Sequence, residues 1–236
     1  MQNMKLYVPL ILSCLTFFLA CNSDSSVPGN SSQANTTQND SSGKSSTAPT
    51  SGIFESYEST DRGIWQKPDL VLSFLGDLSG KSVADIGAGT GFFTKRLIKK
   101  ADKVIAIDID QRFIDYLDSL KVREFNTPET GQLEARLASA NDPRLQTEEV
   151  DVIIIVNTYM YIQNRLDYLQ KLKNGLKPGG TLLIIDFKKK QTSVGPPSNI
   201  RTPLYQVESE LESAQFENIS SNDSALDYQY IVLAKK

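Results

Sequence analysis

The sequence contains no histidine, and its two cysteines, Cys14 and Cys21, both lie in an apolar segment at the N-terminus. The lack of histidine removes the commonest general base and the commonest metal ligand at the same time. Because no cysteine follows position 21, the rest of the chain can form neither a disulfide framework nor a Cys/His zinc site. A metal site there would need oxygen ligands only.

The sequence also lacks an excess of charge of one sign. Its 236 residues carry 25 Lys and Arg against 28 Asp and Glu, a net charge of −3. Binding to duplex nucleic acid needs clustered basic side chains that neutralise phosphates. The dense basic runs are limited to residues 188–190 and 235–236, and solvated surface explains both. The composition therefore gives no indication of a nucleic-acid partner.

Residues 1–20 are predicted to be an export signal. Lys5 supplies a positive charge, and the apolar run 6–20 is too short to span a membrane comfortably as a helix. The run ends F-L-A-C at Cys21, which resembles the bacterial lipoprotein signal, where cleavage precedes a cysteine that becomes diacylated. The resemblance implies lipidation of Cys21 and an exported protein, anchored by lipid to a membrane of the bacterial cell envelope. Cys14 is a weaker alternative as the lipidated cysteine. The segment could also be a signal that is removed without lipidation, or an N-terminal anchor that is not cleaved.

The stretch that follows Cys21 is rich in Ser, Thr, Asn, Gln, Gly and Pro and has almost no apolar residues. Such a composition cannot bury enough surface to offset chain entropy. We therefore predict a disordered tether over residues 21–52 and one folded domain over residues 53–236.

The domain is organised around residues 83–94, which read V-A-D-I-G-A-G-T-G-F-F-T. This pattern predicts a buried strand, a glycine turn and a helix start. Gly87, Gly89 and Gly91 tolerate positive φ and carry no Cβ, so the chain can turn sharply and a ligand can approach closely. The helix N-terminus would offer free N–H groups to a polar or anionic ligand. Asp85 is expected to face the crevice where open α/β sheets bind ligands.

Three interpretations of this stretch compete. It could be a purely structural tight turn, since glycine is common in turns. It could be a dinucleotide-binding loop, but that fingerprint is G-x-G-x-x-G, and Phe92 stands where the third glycine belongs. Residues 85–91 also resemble the D-x-G-x-G-x-G pattern of class I S-adenosylmethionine-dependent methyltransferases at every specified position.

Asp108 ends a second β-branched run, K-V-I-A-I-D-I, and lies 19 residues beyond Gly89. In a βαβ unit, an acid at this spacing accepts hydrogen bonds from ribose hydroxyls. This argument holds equally for NAD and for S-adenosylmethionine, because both contain adenosine. A solvated acid at the end of a strand is the structural alternative.

The remaining patterns alternate between helix and strand, which predicts a parallel sheet covered on both faces. Predicted helices cover residues 68–75, 92–100, 112–120, 165–176 and 204–214. Predicted strands cover residues 83–86, 103–109, 150–156, 181–187 and 228–234, with a turn at 177–180. Residues 133–138 fit a third strand or a short helix, and the last strand suits an antiparallel orientation.

Taken in order, the motifs resemble the class I S-adenosylmethionine-dependent methyltransferases over residues 53–236. They are D-x-G-x-G-x-G at 85–91, the strand-end acid at 108, an Asp-Pro turn at 142–143 and L-K-P-G-G at 176–180. The resemblance is strongest to small bacterial methyltransferase-domain proteins, which share R-x-x-W-Q-x-P at 62–68, G-P-P at 195–197 and Y-Q-Y at 228–230. It implies a Rossmann-like sandwich with a mostly parallel, seven-stranded sheet.

The resemblance also implies S-adenosylmethionine as the cofactor and assigns roles within its site. The methionine portion would lie at Asp85 and the glycine backbone, the ribose at Asp108, the adenine at Asp142 and the sulfonium near Asn157. The full set of implied cofactor-binding residues is Asp85, Gly87, Ala88, Gly89, Gly91, Asp108, Ile109, Asp142 and Asn157.

One departure concerns the reaction. The related group often has histidine after the fourth strand, near Met160, and this chain has none. Methyl transfer from a sulfonium needs mainly in-line alignment, so proximity can lower much of the barrier. Tyr159, Tyr161 and Trp65 are the candidates for a catalytic role, and packing is the alternative explanation for each.

The sequence therefore predicts an enzyme that transfers a methyl group from S-adenosylmethionine to an acceptor that the motifs do not identify. An NAD-dependent oxidoreductase of Rossmann type is the second hypothesis, and Phe92 and Asp85 count against it. A non-catalytic envelope protein that binds an adenosyl ligand is the third, since an exported protein leaves the cytosol where the cofactor is made.

Overall fold

A computed structural model describes residues 60–125 and 132–236 of the chain. The predicted signal, the predicted tether and Cys21 lie outside the described residues. Within the described ranges, no helix combines the length and the apolar character needed to cross a bilayer.

The described part is built on a seven-stranded sheet with the order β3-β2-β1-β4-β5-β7-β6. All neighbours up to β5 are parallel, whereas β7 runs antiparallel to β5 and β6 antiparallel to β7. The strands are β1 (Ser82–Ile86), β2 (Lys103–Asp108), β3 (Gln132–Leu137), β4 (Val150–Val156), β5 (Leu176–Phe187), β6 (Glu217–Asn222) and β7 (Gln229–Lys235).

Helices pack on both faces of this sheet. They are α1 (Thr60–Gln66), α2 (Pro68–Ser73), α3 (Thr94–Leu97), α4 (Gln111–Arg123), α5 (Arg165–Gly175) and α6 (Leu204–Ser213), with 3₁₀ turns at Tyr159–Tyr161 and Ser198–Ile200. Buried residues of α2, α3 and α4 share one core cluster, and those of α5 and α6 share the other. The predicted α/β fold class and the mostly parallel seven-stranded sheet are confirmed.

Alternation along the central strands divides their side chains between the two clusters. In β4, Val152 and Ile154 belong to the first cluster, and Ile153 and Ile155 belong to the second. Each side chain points to the face opposite its neighbour's, because successive Cβ atoms of a strand alternate. Strands that are apolar on both sides are what a parallel sheet covered by helices requires.

Most element bounds lie within a few residues of the predictions, with two informative differences. The helix predicted from residue 92 is limited to Thr94–Leu97, because turns occupy the residues on either side. The predicted turn at 177–180 lies inside β5, where the pairing with β4 shifts register between Val150 and Val152. This shift places the extra residues in an irregular segment instead of a separate loop.

Candidate functional site

The candidate site is a cavity of about 290 Å³ at the carboxyl ends of β1, β2 and β4. The chain order of the strands reverses between β1 and β4, and ligands of open α/β sheets bind at such a switch point. Six of the nine residues predicted to bind the cofactor line this cavity: Gly87, Ala88, Gly89, Asp108, Ile109 and Asn157.

The glycine loop is held to β2 through its own backbone N–H groups. Those of Gly87 and Ala88 both donate to the carbonyl oxygen of Ile107, at 2.8 and 3.0 Å. The N–H of Gly89 donates to Asp108 Oδ2 at 2.9 Å. Because these donors are engaged, the loop does not offer the N–H cradle that holds a pyrophosphate. Ala88 O accepts from the N–H of Gly91 at 2.9 Å, but a carbonyl oxygen has two lone pairs, so the carbonyl oxygens of the loop can still accept from the ammonium group of a ligand.

The glycines of the loop have different steric reasons for lacking a side chain. A Cβ on Gly87 would come within 2.6 Å of Thr158 Cγ2, so Thr158 packs directly against the bare backbone. A Cβ on Gly91 would lie 2.9 Å from Leu117 Cδ2, which ties this position to packing on α4. A Cβ on Gly89 would meet nothing within 4 Å, and Gly89 lines the cavity. All three have positive φ, between 56° and 79°.

Asp108 links the loop, the cavity and the start of α4. Its side chain is 9% exposed. While Oδ2 accepts from Gly89, Oδ1 accepts from the N–H of Asp110 at 3.0 Å. Each carboxylate oxygen retains a lone pair, because an ionised carboxylate has about four acceptor sites. Asp108 can therefore accept hydrogen bonds from a ligand while it holds the loop in place.

Asp85 lies beneath the loop and does not line the cavity, contrary to the expected orientation. Alternation places its side chain on the same face as Val83, towards α3, where it is 3% exposed. Asp85 Oδ2 accepts from Thr94 Oγ1 at 2.6 Å. Burial raises the pKa of Asp85 to about 6, against the opposing effects of Thr94 and the guanidinium of Arg62.

The β2–β3 side of the cavity is largely apolar. Ile109 is 64% exposed although it follows a buried strand, and it lines the cavity together with Phe113 and Tyr168. Burial raises the pKa of the Tyr168 hydroxyl above its usual range, and the charge of Asp142 adds to this effect. An apolar surface beside Asp108 suits a planar base attached to a ribose.

Asp142 itself is exposed and does not line the cavity. Its Oδ1 accepts from the backbone N–H of Arg144 at 2.7 Å, and its backbone pairs with Ser139. Ser139 does line the cavity. The Asp-Pro turn therefore stands just behind the lining residues, with the carboxylate engaged in the turn.

Asn157 and Thr158 form the β4 side of the cavity. Asn157 has φ 58°, a left-handed conformation that asparagine tolerates better than most residues. Its Oδ1 accepts a hydrogen bond from Gln229 Nε2 of β7. Thr158 Oγ1 donates to the carbonyl oxygen of Val156 at 3.1 Å. Both residues are partly exposed and line the cavity beside the glycine loop.

The three candidate catalytic residues have different environments. Tyr159 is fully buried, and its hydroxyl donates to Glu210 Oε2 at 2.6 Å; burial raises its pKa. Trp65 packs on Phe187 with a ring-centroid distance of 5.6 Å. Tyr161 is 60% exposed and is the candidate of the three that lines the cavity.

Residues beyond the predicted set also contribute to the site. The guanidinium of Arg62 lies 4.2 Å from the centre of the Phe92 ring, and Arg62 lines the cavity. The R-x-x-W-Q-x-P, G-P-P and Y-Q-Y motifs meet around Phe187, which contacts Trp65 and lies close to Gly195. Their shared occurrence was a signal that the sequence offered, but no pattern in it showed that the motifs are adjacent.

The residues present fit S-adenosylmethionine. The loop offers carbonyl oxygens and a cavity-facing glycine, Asp108 offers acceptors at the adjacent strand end, and Ile109 offers apolar surface. Thr90 Oγ1, within the loop, is buried and has no hydrogen-bond partner among the described residues. No group of metal-ligating side chains occurs in the part of the chain that the structure describes.

Comparison with known proteins gives a consistent result. The family model described as a methyltransferase domain matches residues 84–184. A crystal structure of an S-adenosylmethionine-dependent methyltransferase from Aquifex aeolicus is 26% identical and covers 78% of this chain and 97% of its own, with a TM-score of 0.69.

Two curated relatives extend the comparison. Demethylmenaquinone methyltransferase of Tropheryma whipplei is 25% identical over 180 residues, which are 71% of this chain and 69% of that protein. Phosphoethanolamine N-methyltransferase 1 of Triticum aestivum is 32% identical over 123 residues, 50% of this chain. The match spans only 24% of the wheat protein's length.

Fold, loop geometry and relatives agree, and they confirm the predicted cofactor and reaction class. The described α/β part of this chain has the fold of the class I S-adenosylmethionine-dependent methyltransferases, and residues 84–184 within it match the methyltransferase-domain family model.

Proposed function

We propose that the whole protein uses this domain to transfer a methyl group from S-adenosylmethionine to an acceptor bound beside β4. The observation that carries the proposal is the hydrogen bond from Gly89 N–H to Asp108, because it joins loop and strand end at one cavity that Asn157 closes. Within it, the loop would hold the methionine portion and Asp108 the ribose. Asp85 and Asp142 would support these elements from behind.

The bound cofactor supplies the electrophilic methyl group. The residues of this chain bind, orient and exclude water. Ile109 and Phe113 cover the adenine side, and Asn157 and Thr158 form the wall on the acceptor side. The lack of histidine is compatible with transfer driven by alignment, since well-oriented reactants recover a large part of a barrier.

A radiolabelled methyl-transfer assay with cell-envelope extract as the acceptor source tests the proposal. We expect labelled product with the wild type and loss of most label with Asp108→Asn, because the substitution removes the charge that binds the ribose hydroxyls. Asp77→Asn is the control, since Asp77 is exposed in a turn away from the cavity, where it accepts from Ser79. Equal labelling by wild type and Asp108→Asn would contradict the proposal.

We further propose that the protein is exported and anchored to a bacterial envelope membrane through lipid on Cys21. The support is the charged, apolar and F-L-A-C sequence pattern of residues 1–21. Metabolic labelling with radioactive palmitate should mark the wild type and Cys14→Ser but not Cys21→Ser. Label that persists in Cys21→Ser would contradict this anchor site.

A further inference from the structure

Four polar side chains from three distant segments form a continuous hydrogen-bonded chain that ends at the cavity. Arg62 Nε donates to Gln66 Oε1 at 2.7 Å. Gln66 Nε2 donates to Gln229 Oε1 at 3.2 Å, across 163 residues of sequence. Gln229 Nε2 then donates to Asn157 Oδ1. Both glutamines are fully buried, and both end residues line the cavity.

The direction of this chain is fixed by its first member. A guanidinium has five donors and no acceptor, so the atom of Gln66 that faces Arg62 must be oxygen. The amide nitrogen of Gln66 therefore faces Gln229, and the same reasoning orients the amide of Gln229. A reversed amide at either position would set two buried donors against each other and leave both unsatisfied, which costs free energy.

The last member of the chain is Asn157. Because Oδ1 accepts from Gln229, the side-chain group that remains for a ligand is the Nδ2 amide, a donor. Asn157 is partly exposed, and the described residues give Nδ2 no partner. Asn157 lines the cavity directly after β4, in a left-handed backbone with φ 58°.

We propose that Asn157 Nδ2 donates a hydrogen bond to an oxygen of the methyl acceptor, and that Arg62 sets this polarity through Gln66 and Gln229. The acceptor class is a molecule with a carbonyl, carboxylate or phenolate oxygen beside the methylated atom. This inference rests on the proposed function. Arg62, Gln66 and Gln229 are positioning residues, since they act on the acceptor through Asn157.

The same polarity disfavours acceptors that present N–H groups at this point. An amine donor opposite Asn157 would face another donor, with the carbonyl oxygen already engaged by Gln229. A site that donates a hydrogen bond discriminates against a ligand with no hydrogen-bond-accepting atom at that position. The hydrogen-bonded side chains from Arg62 to Asn157 therefore make the methyl-acceptor subsite selective for ligands that accept a hydrogen bond at this point.

The test uses the full-length protein saturated with S-adenosylhomocysteine and two neutral probes of similar size. The probes are 1-indanone, which only accepts, and indole, whose N–H only donates. Affinities are measured by ligand-observed NMR titration at pH 8. We expect the wild type to prefer 1-indanone by about 5-fold, the ratio that one hydrogen bond of ~1 kcal/mol gives.

Two substitutions should reverse the preference without touching the cavity. In Gln66→Glu, the new carboxylate accepts from Arg62 and cannot donate to Gln229. The side-chain amides of Gln229 and then of Asn157 must therefore exchange the positions of oxygen and nitrogen, so that Asn157 Oδ1 faces the cavity. In Gln229→Glu, Asn157 alone turns over. Gln146→Glu, which adds the same charge at an exposed site, should keep the wild-type ratio.

Asn157→Asp provides the same reversal at the mouth of the cavity if the buried variants do not fold. A preference for indole in these variants supports the proposal. An unchanged ratio in all of them, a preference for indole in the wild type, or binding of neither probe overturns it while the proposed methyl transfer stands. Failure of S-adenosylhomocysteine to bind the wild type would overturn the proposed function itself.

Discussion

The two sides of the cavity are built in different ways. The loop side, made of β1, β2 and the glycine turn, is joined by backbone groups and by Asp108, 19 residues from the Gly89 that it binds. The β4 side is joined by buried side chains, with Gln229 lying 72 residues from Asn157 and 163 from Gln66. In the proposed function, local backbone geometry would hold the cofactor, and long-range side-chain contacts would position the residue that meets the methyl acceptor.

This difference suggests how the fold separates its tasks. A loop fixed by steric fit and backbone hydrogen bonds keeps one conformation when most surface residues are substituted. A wall made of side-chain amides can change its polarity through one substitution while the fold is retained. Substitutions on each side should therefore have different effects.

The largest expected effect is on the loop side, from Gly87→Ala. The new Cβ would overlap Thr158 in a backbone with φ 74°, and overpacking costs about 1–3 kcal/mol in addition to about 1 kcal/mol for the left-handed conformation. We expect a loss of 2–4 kcal/mol in the free energy of unfolding, measured by urea denaturation.

Gly89→Ala is the matched variant, because its Cβ meets nothing within 4 Å although its φ is also positive, at 56°. It should cost only about 1 kcal/mol of stability and should weaken binding of S-adenosylhomocysteine, since the methyl group enters the cavity. Equal destabilisation by the two substitutions would contradict the steric account of the loop.

The second prediction concerns the acid buried beneath the loop. Burial raises the pKa of Asp85 from 3.8 to about 6, so the folded state binds its proton more tightly than the unfolded state does. This contribution to stability is present below about pH 4 and is lost as the pH rises through about 6. Relative to the wild type, Asp85→Asn should gain up to about 3 kcal/mol between pH 4 and pH 7.

Asp186 provides the contrast on the other side. Burial raises its pKa to about 7, but its two oxygens accept from the N–H groups of Met160 and Phe187 at 2.9 and 2.8 Å. Asparagine offers only one acceptor oxygen there, so Asp186→Asn should remain destabilised at pH 7. Parallel stability curves for wild type and Asp85→Asn over this pH range would refute the assigned cause.

The third prediction compares two acids of the predicted cofactor set. Asp108→Asn should weaken binding of S-adenosylhomocysteine by roughly 10- to 100-fold, since hydrogen bonds to charged groups contribute about 1.5–3 kcal/mol. Because asparagine has one acceptor oxygen for the N–H groups of Gly89 and Asp110, part of this loss comes from the loop itself. Asp142→Asn should change it less than about 3-fold, because this carboxylate is exposed and bound to Arg144. Isothermal titration calorimetry measures both affinities. A larger loss of affinity in Asp142→Asn than in Asp108→Asn would place the ligand at the Asp-Pro turn.

The smallest effects are expected from the two tyrosines after β4. Tyr159→Phe removes the hydroxyl that donates to Glu210 and should cost about 1–2 kcal/mol of stability without changing cofactor affinity. Tyr161→Phe should leave stability unchanged within about 0.5 kcal/mol, because Tyr161 is 60% exposed. Thermal unfolding measures both, and a loss of cofactor binding in Tyr159→Phe would place Tyr159 in the site.

The sequence predicted the loop side well because its chemistry is local. The spacing along the sequence directly indicates the strand, the glycine turn and an acid 19 residues after Gly89. The structure brings Gly89 and this acid, Asp108, into contact. Orientation was harder to predict. Asp85 was expected to face the cavity, but alternation from Val83 turns it towards α3, and the spacing of the motif alone does not contain that information.

Asn157 on the β4 side was predicted to line the site, but the hydrogen-bonded side chains behind it could not be predicted from the sequence. Arg62, Gln66 and Gln229 stand in motifs that the sequence showed, yet contact between Gln66 and Gln229 depends on β7 inserting beside β5. No periodicity encodes such a pairing, because it follows from the whole sheet order. Tyr159 was a catalytic candidate for its position after the strand, whereas its side chain packs away from the cavity against α6.

The most direct test of the central claim is a crystal structure of the protein with S-adenosylhomocysteine. We predict that the ribose hydroxyls lie within hydrogen-bond distance of Asp108, with the adenine against Ile109 and the sulfur on the side of Asn157. A ligand bound elsewhere, or bound with Asp108 turned away from its ribose, would contradict the account.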